Sequence, residues 1–412
     1  MTLAGDYCNA MPTHNLGRRD ILRMAAARVL PVATTLRAQA KSFLVYWGTY
    51  TEGGGQYGNG DSKGIYFSRM AADTGKLTRP ELAAESPNPS WLVLHPDRRY
   101  LYAVNERLED DGKVLPGEVS AFSIDPNTGK LAFINRVPSR GGEPCHIATD
   151  TTGRMAMVAN WSTGSAAAFP IGRHGQLGES TAFYQDEGPR SGASEQGTSQ
   201  DTEQIHCHSV VVTPDNRFLL STDTGLNKIY VYRLDPSKAD FTPHDPPYLG
   251  LKKPTNPRHL ALHPNTKWAY VSNEISPGGC TLLRFDALRG VLEEGPVAAS
   301  VPADYKGRVS PAECAVHPSG RFVYESNRGH NSIAVFRVDP QDGTLTLAQS
   351  FLLGGETPRS FALDPSGAFL IAMMQRSGTI IPLRIDPQNG ELATAGDPLQ
   401  LSRPVCAVFL PI

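Results

Sequence analysis

One phrase recurs along this chain of 412 residues with variations. It reads HPDRRYLYAVNE from His95, DTTGRMAMVANW from Asp150, TPDNRFLLSTDTG from Thr213, HPNTKWAYVSNEI from His263, HPSGRFVYESNRG from His317 and DPSGAFLIAMMQRSG from Asp364. Such self-similarity means one supersecondary unit copied many times. Each copy sets a turn before a run rich in Val, Tyr, Leu and Phe that ends in Asn or another polar residue. Most copies continue into a second apolar run closed by a D-P-x-x-G-x-L turn, as in VSAFSIDPNTGKL (119–131), IAVFRVDPQDGTL (333–345) and IIPLRIDPQNGEL (380–392). Short strands punctuated by Asp, Pro, Gly and Asn at a period of about 50 residues give roughly four strands per copy, the size of a β-propeller blade.

Six full copies are visible and a seventh is split between the two ends. KSFLVYWGTY and SKGIYFSRMAADTGKL lie at the front, while RPVCAVFLPI at 403–412 reads like the opening strands PRHLALHP at 257–264 and PRSFALDP at 358–365. The expected fold is therefore all-β: a seven-bladed β-propeller, its ring closed by the C-terminal strand joining the N-terminal strands, which removes exposed edges. Residues 41–412 form one such domain. A content of 40 % hydrophobic and 19 % charged residues, with 39 Gly and 33 Pro, suits a turn-rich soluble β protein. The formal net charge of −2 offers no basic surface for nucleic acid. Beyond the leader, nothing approaches the roughly 18 consecutive apolar residues that suggest membrane insertion.

The first forty residues depart from the repeat. Arg18 and Arg19 precede Ile21 and Leu22, an Ala/Val/Leu-rich stretch and a small-x-small end at Ala38-Gln39-Ala40. That order predicts a twin-arginine export signal over 1–40, engaging the export machinery and placing the mature chain in the periplasm; the alternative is an amphipathic leader on a cytoplasmic protein. Cys8 would leave with it. The remaining Cys145, Cys207, Cys280, Cys314 and Cys406 have no regular spacing, and four fall in or beside expected inner strands, so buried thiols rather than a disulfide framework are expected.

In an up-and-down blade the start of the first strand and the end of the second emerge on one face, so polar residues at these two positions converge on a single funnel. Repetition then separates architecture from function. His95, His263 and His317 share one turn position and read as structural, and the recurring Asn105, Asn160, Asn273 and Asn327 read as turn caps. His208, Glu274, Glu313 and Arg328 break the symmetry. Arg258 and Arg359 share a Pro-Arg phrase, which leaves both undecided at this level.

The phrases GGEPCHIATDTTGRMAMVANWSTGS, HCHSVVVTPDNRFLLSTDTGLNKIYVY, NPRHLALHPNTKWAYVSNEI, AECAVHPSGRFVYESNRGHNSIAVF and TPRSFALDPSGAFLIAMMQRSG resemble, in order, those of the seven-bladed lactonase family of 6-phosphogluconolactonase, which also includes carboxymuconate-cyclising enzymes. The resemblance runs from about Phe43 to the end. It implies a catalytic quartet at His208, Arg258, Glu274 and Arg328, with His146, Glu313, Arg359 and Gln375 as further substrate-binding positions. It implies no cofactor and no metal.

Lactone opening needs a base for water, for which Glu274 and His208 are candidates, and positive groups where the carbonyl oxygen gains charge, for which Arg258 and Arg328 are suited. The expected partner is a small sugar lactone, acted on by a monomer. Two alternatives stand beside hydrolysis: a carboxymuconate-type lactonising cyclase, and a non-catalytic propeller that binds through its rim. Zinc at Cys145, His146, His206, Cys207 and His208 is disfavoured because adjacent strand residues point to opposite faces. The polar segment QDEGPRSGASEQGTSQDTEQ (185–204) is expected to overhang the funnel as a lid.

Overall fold

The apolar run after each recurrent turn forms the second strand of a four-stranded antiparallel meander. In the computed structural model the described residues are 42–52, 61–107, 115–186, 205–253, 255–275 and 277–412, all within one compact unit, Ala40–Ile412. The proposed export signal and most of the proposed lid, 187–204, lie outside the described residues.

Seven sheets form the propeller. The first complete blade holds β4 (Trp91–Leu94), β5 (Tyr100–Asn105), β6 (Pro116–Ile124) and β7 (Leu131–Gly142). Four more follow in chain order: β8–β11 from Pro144 to Gln185, β12–β15 from Cys207 to Gly250, β16–β19 from Pro257 to Ala298, and β20–β23 from Ser310 to Leu352. The next holds β24–β27, from Pro358 to Thr394, with β28 (Leu399–Gln400) added beside β26 (Thr379–Ile385). The split blade is ordered β29-β1-β2-β3, so the C-terminal strand β29 (Pro404–Pro411) pairs antiparallel with β1 (Ser42–Thr49) and closes the ring. Each inner strand touches the inner strands of the two adjacent blades, in a cycle from β29 through β4, β8, β12, β16, β20 and β24 back to β29.

Burial follows the strand position. The second strands β5, β9 (Met155–Asn160), β13 (Phe218–Asp223) and β25 (Phe369–Met374) are buried along their whole length. They read as near-continuous apolar runs because both faces pack against neighbouring blades. The outer strands, such as Asp240–Gly250 and Leu345–Leu352, are mostly half-buried or exposed.

The recurrent turn residues lock each blade to the next. His95, His263 and His317 donate Nε2–H to the carbonyls of Gly153, Gly320 and Gly367 one blade on, at 2.9, 2.8 and 2.9 Å, which is the structural role the repetition implied. The recurrent asparagines bridge the turn between second and third strands, as in Asn160–Ser165 and Asn273–Thr281, and two of them also reach the preceding blade. Asn105 and Asn160 tie their strand both to a hydroxyl of the third strand, Ser120 and Ser165, and to a carbonyl of the preceding blade's last segment, Pro87 in the linker before β4 and Ser139 near the end of β7. Buried amides serve here because a dry linker leaves carbonyls that must be satisfied. The five described cysteines are buried free thiols.

Candidate active site

Six of the seven inner strands carry a β-bulge close to their start. Cys145, His208, Arg359 and Val405 are each an extra residue between two paired positions, while Arg258-His259 and Ala312-Glu313 each stand opposite a single residue of the second strand. A bulge turns side chains out of the regular alternation and aims them elsewhere. Here it sets His208, Arg258 and Glu313 around His259.

The displaced backbone is satisfied by a hydroxyl that recurs just before the strand-end Asn or Asp. Thr222, Ser272 and Ser326 accept from the N–H of Ser209, His259 and Glu313 at 3.1, 3.2 and 3.0 Å. Thr222 and Ser272 then donate to the carbonyls of Arg258 and Ala312 in the next blade, at 2.6 and 3.1 Å. Bulges of neighbouring blades are thereby stitched together.

A second ring of side chains comes from residues at the ends of second strands. The N–H groups of Glu106, Trp161, Glu274 and Gln375 donate to Asn88, Glu143, Asn256 and Thr357 just before the inner strands, at 2.9 to 3.1 Å. Arg328, the last residue of β21 (Phe322–Arg328), pairs with Ser310 at the start of β20 and occupies the corresponding place.

Arg258, Glu274 and Arg328 meet at the junction of two blades. Arg328 Nη2 donates to Glu274 Oε1, while its Nε and Nη2 also hold the carbonyls of Ser310 and Pro311 at 3.1 and 3.2 Å. Arg258 is only 2 % exposed. Its Nη1 donates to Ala312 O at 2.9 Å and to His259 Nε2 at 3.2 Å. Its Nε lies 3.8 Å from Glu274 Oε2 and makes no hydrogen bond among the described residues. The Glu274 side chain is 26 % open, which makes it the accessible member of the group.

Behind this group runs a relay. His259, with Nε2 accepting from Arg258, carries its proton on Nδ1 and donates to Glu313 Oε2 at 3.1 Å; Ser360 Oγ donates to the same oxygen at 2.8 Å. His208 reaches the group through His259, whose ring centroid is 5.1 Å away, and His146 stands 5.4 Å from His259 while stacking on Trp91 at 4.4 Å. Arg359 lies 5.3 Å over the ring of Tyr50, whose hydroxyl donates to Glu106 at 2.9 Å. Gln375 lines a cavity with Arg328 and Arg359.

The charges sort accordingly. Burial raises the Glu274 carboxyl, but the guanidinium groups of Arg328 and Arg258 outweigh it and hold the group below its ordinary value, hence ionised at neutral pH. Burial, then the Arg258 charge, push His208 and His259 well below the usual imidazole range and His146 to about 3, so all three rings are neutral. Glu313 is pushed up to about 7 by burial, against the pull of Ser360 and Arg258. Among the described residues no group of three His, Cys, Asp or Glu is arranged to hold a metal ion. Cys207 turns to Ser221 Oγ at 3.1 Å, and His206 stacks on Trp161 at 4.0 Å.

Four participants escaped the sequence-level selection: His259, Trp91, Tyr50 and Glu106. His259 adjoins Arg258 in the Pro-Arg-His phrase, and Glu106 follows Asn105 as Glu274 follows Asn273. Tyr50 sits in the split blade, where the recurrent phrase is broken.

The model of the family described as "Lactonase, 7-bladed beta-propeller" matches residues 44–409. The chain belongs to this lactonase family. A Bacillus subtilis relative named 6-phosphogluconolactonase is 31 % identical over 319 residues, 77 % of this chain and 83 % of that protein. Another of the same name, from Formosa agariphila, is 32 % identical over 275 residues, 66 % and 74 % of the two chains. The structure of the periplasmic gluconolactonase of Pseudomonas aeruginosa superposes with a TM-score of 0.80 at 28 % identity, over 90 % of this chain and 99 % of that chain.

Proposed function

We propose that this lactonase hydrolyses the ring ester of an aldonolactone at the mouth of its central channel, with Arg258, Glu274 and Arg328 as the reacting group. The observation that carries the reading is Arg258: a buried cation with an unspent Nε–H, set 3.8 Å from an ionised carboxylate that is itself open to the funnel. A buried donor left without a partner is costly, and an incoming carbonyl oxygen satisfies it.

In this mechanism the lactone oxygen takes up Arg258 and Arg328, and Glu274 accepts a proton from water as the water oxygen bonds to the carbonyl carbon. Charge moving onto the substrate oxygen draws the two guanidiniums away from Glu274, so its proton affinity rises when a base is required. Collapse of the tetrahedral adduct breaks the ring C–O bond, and the departing alkoxide takes the proton from Glu274. The product is an open hydroxy acid, which ionises and releases one proton. Neutral His208 and His146, with Gln375, hydrogen-bond the sugar hydroxyls. The predicted twin-arginine leader and the periplasmic relative support the periplasm as the compartment.

Proton release from a panel of lactones, followed on a pH-stat with the purified full chain and Glu274→Gln, tests this. The expected result is opening well above the spontaneous rate, with the variant slower by about 10²–10⁴-fold, the usual loss of a general base. If neither protein exceeds the uncatalysed rate on any lactone, hydrolysis is rejected. Cyclisation of a dicarboxylate, which the same two arginines suit, then becomes the reading to pursue.

A further inference from the structure

Two buried titratable groups beside Arg258 have no part in the proposed reaction. His259 follows Arg258 in β16 (Pro257–Leu262), and Glu313 lies in β20 (Ser310–Val316), one blade on. Their side chains are 4 % and 10 % exposed. Glu313 accepts three hydrogen bonds from within the protein: from Cys314 N–H on Oε1 at 3.1 Å, and from His259 Nδ1 and Ser360 Oγ on Oε2 at 3.1 and 2.8 Å. Ser360 belongs to β24 (Pro358–Leu363), so a chain of bonds crosses three successive blades from Ser360 through Glu313 and His259 to Arg258.

A guanidinium can only donate. The 3.2 Å bond from Arg258 Nη1 therefore needs a lone pair on His259 Nε2, which a neutral imidazole offers only when its proton is on Nδ1. An ionised Glu313 accepts from that Nδ1–H and so favours this tautomer. Once Glu313 is protonated, its O–H donates to Nδ1 instead, and the imidazole proton moves to Nε2, where it meets the Arg258 N–H donor to donor. The other contact of Nη1, to Ala312 O at 2.9 Å, by itself lets the planar group turn about it. Two acceptors on one nitrogen fix the plane, and with it the direction of the Nε–H. The His259 ring is held in turn by Trp91, His208 and His146, at centroid separations of 4.9, 5.1 and 5.4 Å.

Resting on the lactonase reading above, we propose that Glu313 and His259 are positioning residues: Glu313 selects the His259 tautomer whose Nε2 lone pair holds the Arg258 guanidinium with its Nε–H toward the substrate carbonyl oxygen. Neither residue touches the substrate. Arg258 stabilises charge that develops in the transition state, so losing its orientation lowers kcat and spares KM. The charged and titratable groups around the pair are Arg258, Arg359, His208, His146, Cys314 and Cys406. The arginines stay charged, the two rings neutral and the two thiols protonated near pH 7, so the tautomer turns on Glu313 alone.

Two measurements on the full chain test this. In imidazole-nitrogen NMR the His259 signals are assigned by their loss in His259→Gln. They should show the proton on Nδ1 in wild type above pH 7 and on Nε2 in Glu313→Leu. Wild type taken well below pH 7, where Glu313 takes up a proton, should show the same move without any variant having to fold. In kinetics on the best lactone, kcat of Glu313→Leu should fall about ten-fold or more with KM unchanged, while Glu313→Gln, which keeps an acceptor, retains most of kcat. His259→Gln offers Arg258 an amide oxygen with no tautomer to set, so in that background Glu313→Leu should cost less than about two-fold. Thermal midpoints check that each variant is folded. If wild-type His259 carries its proton on Nε2, or Glu313→Leu costs the same in both backgrounds, the positioning role is wrong while the lactonase reading stands on wild-type turnover. If wild type opens no lactone, the lactonase reading fails and the spectrum alone decides: a proton on Nδ1 that moves in Glu313→Leu upholds the tautomer lock, and one that does not move overturns it.

Discussion

Glu325 is a fully buried carboxyl that the proposed reaction does not use, and it gives the most quantitative test of this structure. It lies in β21, paired with Cys314 on one side and Ala334 on the other, and has no exposed surface. Neither carboxyl oxygen has a hydrogen-bond partner among the described residues, and the nearby Ser300 hydroxyl spends its proton on Asn327 at 2.7 Å. Its titratable neighbours, the Cys280 and Cys314 thiols, are themselves pushed up and supply no positive charge. Burial therefore raises Glu325 from 4.5 to about 8. Between those values the native protein keeps a proton that the unfolded chain has lost, so stability falls as pH rises from about 4.5 and the loss is complete above about 8. At about 1.4 kcal/mol per pH unit the change between pH 5.5 and 7.5 is about 3 kcal/mol. Glu325→Gln removes this titration while keeping the shape of the side chain. Urea unfolding of both proteins at the two pH values should show the variant's stability relative to wild type improving by about that amount on going to pH 7.5. All other titrating groups cancel in the comparison. An advantage equal at both pH values, or one that shrinks with pH, refutes the assignment of Glu325 as a carboxyl kept neutral by burial.

Three further outcomes are expected. Glu313, pushed up to about 7, should contribute an inflection near that pH to the pH–rate profile of kcat/KM, and Glu313→Gln should remove it with the rest of the profile retained. Arg328→Lys keeps the charge but cannot hold Glu274 and two carbonyls at once, so kcat/KM on the best lactone should fall by about 10–100-fold; a fall under two-fold would show that charge alone suffices. Gly367 has φ of +76° and its carbonyl receives the His317 Nε2–H, with the His317 ring where a Cβ would stand; Gly367→Ala should cost about 2 kcal/mol, read as a lowered thermal midpoint.

Much of the molecule is legible in the chain itself. A repeated turn-and-strand phrase can bury its apolar faces only against further copies of itself, so the number of copies and the strand-like final segment dictate a closed seven-bladed ring. The repetition also marks His95, His263 and His317 as architectural, since a contact between successive turns must recur wherever blades touch. Of the positions that break it, Glu274 and Arg328 form an ion pair in the fold, and His208 and Glu313 both flank His259. What the tertiary structure alone decided is where those side chains point. Period-two alternation would send His208 and Cys207 to opposite faces and says nothing of an extra residue in the pairing. At the bulges of His208, Arg258-His259 and Ala312-Glu313 second-strand hydroxyls take up the displaced N–H groups, a contact between strands that has no local signature. The same holds for the charges. Glu274, Glu313 and Glu325 are one residue type in the sequence, but two guanidiniums hold the first low, burial opposed by Ser360 and Arg258 raises the second, and burial with little to oppose it raises the third further.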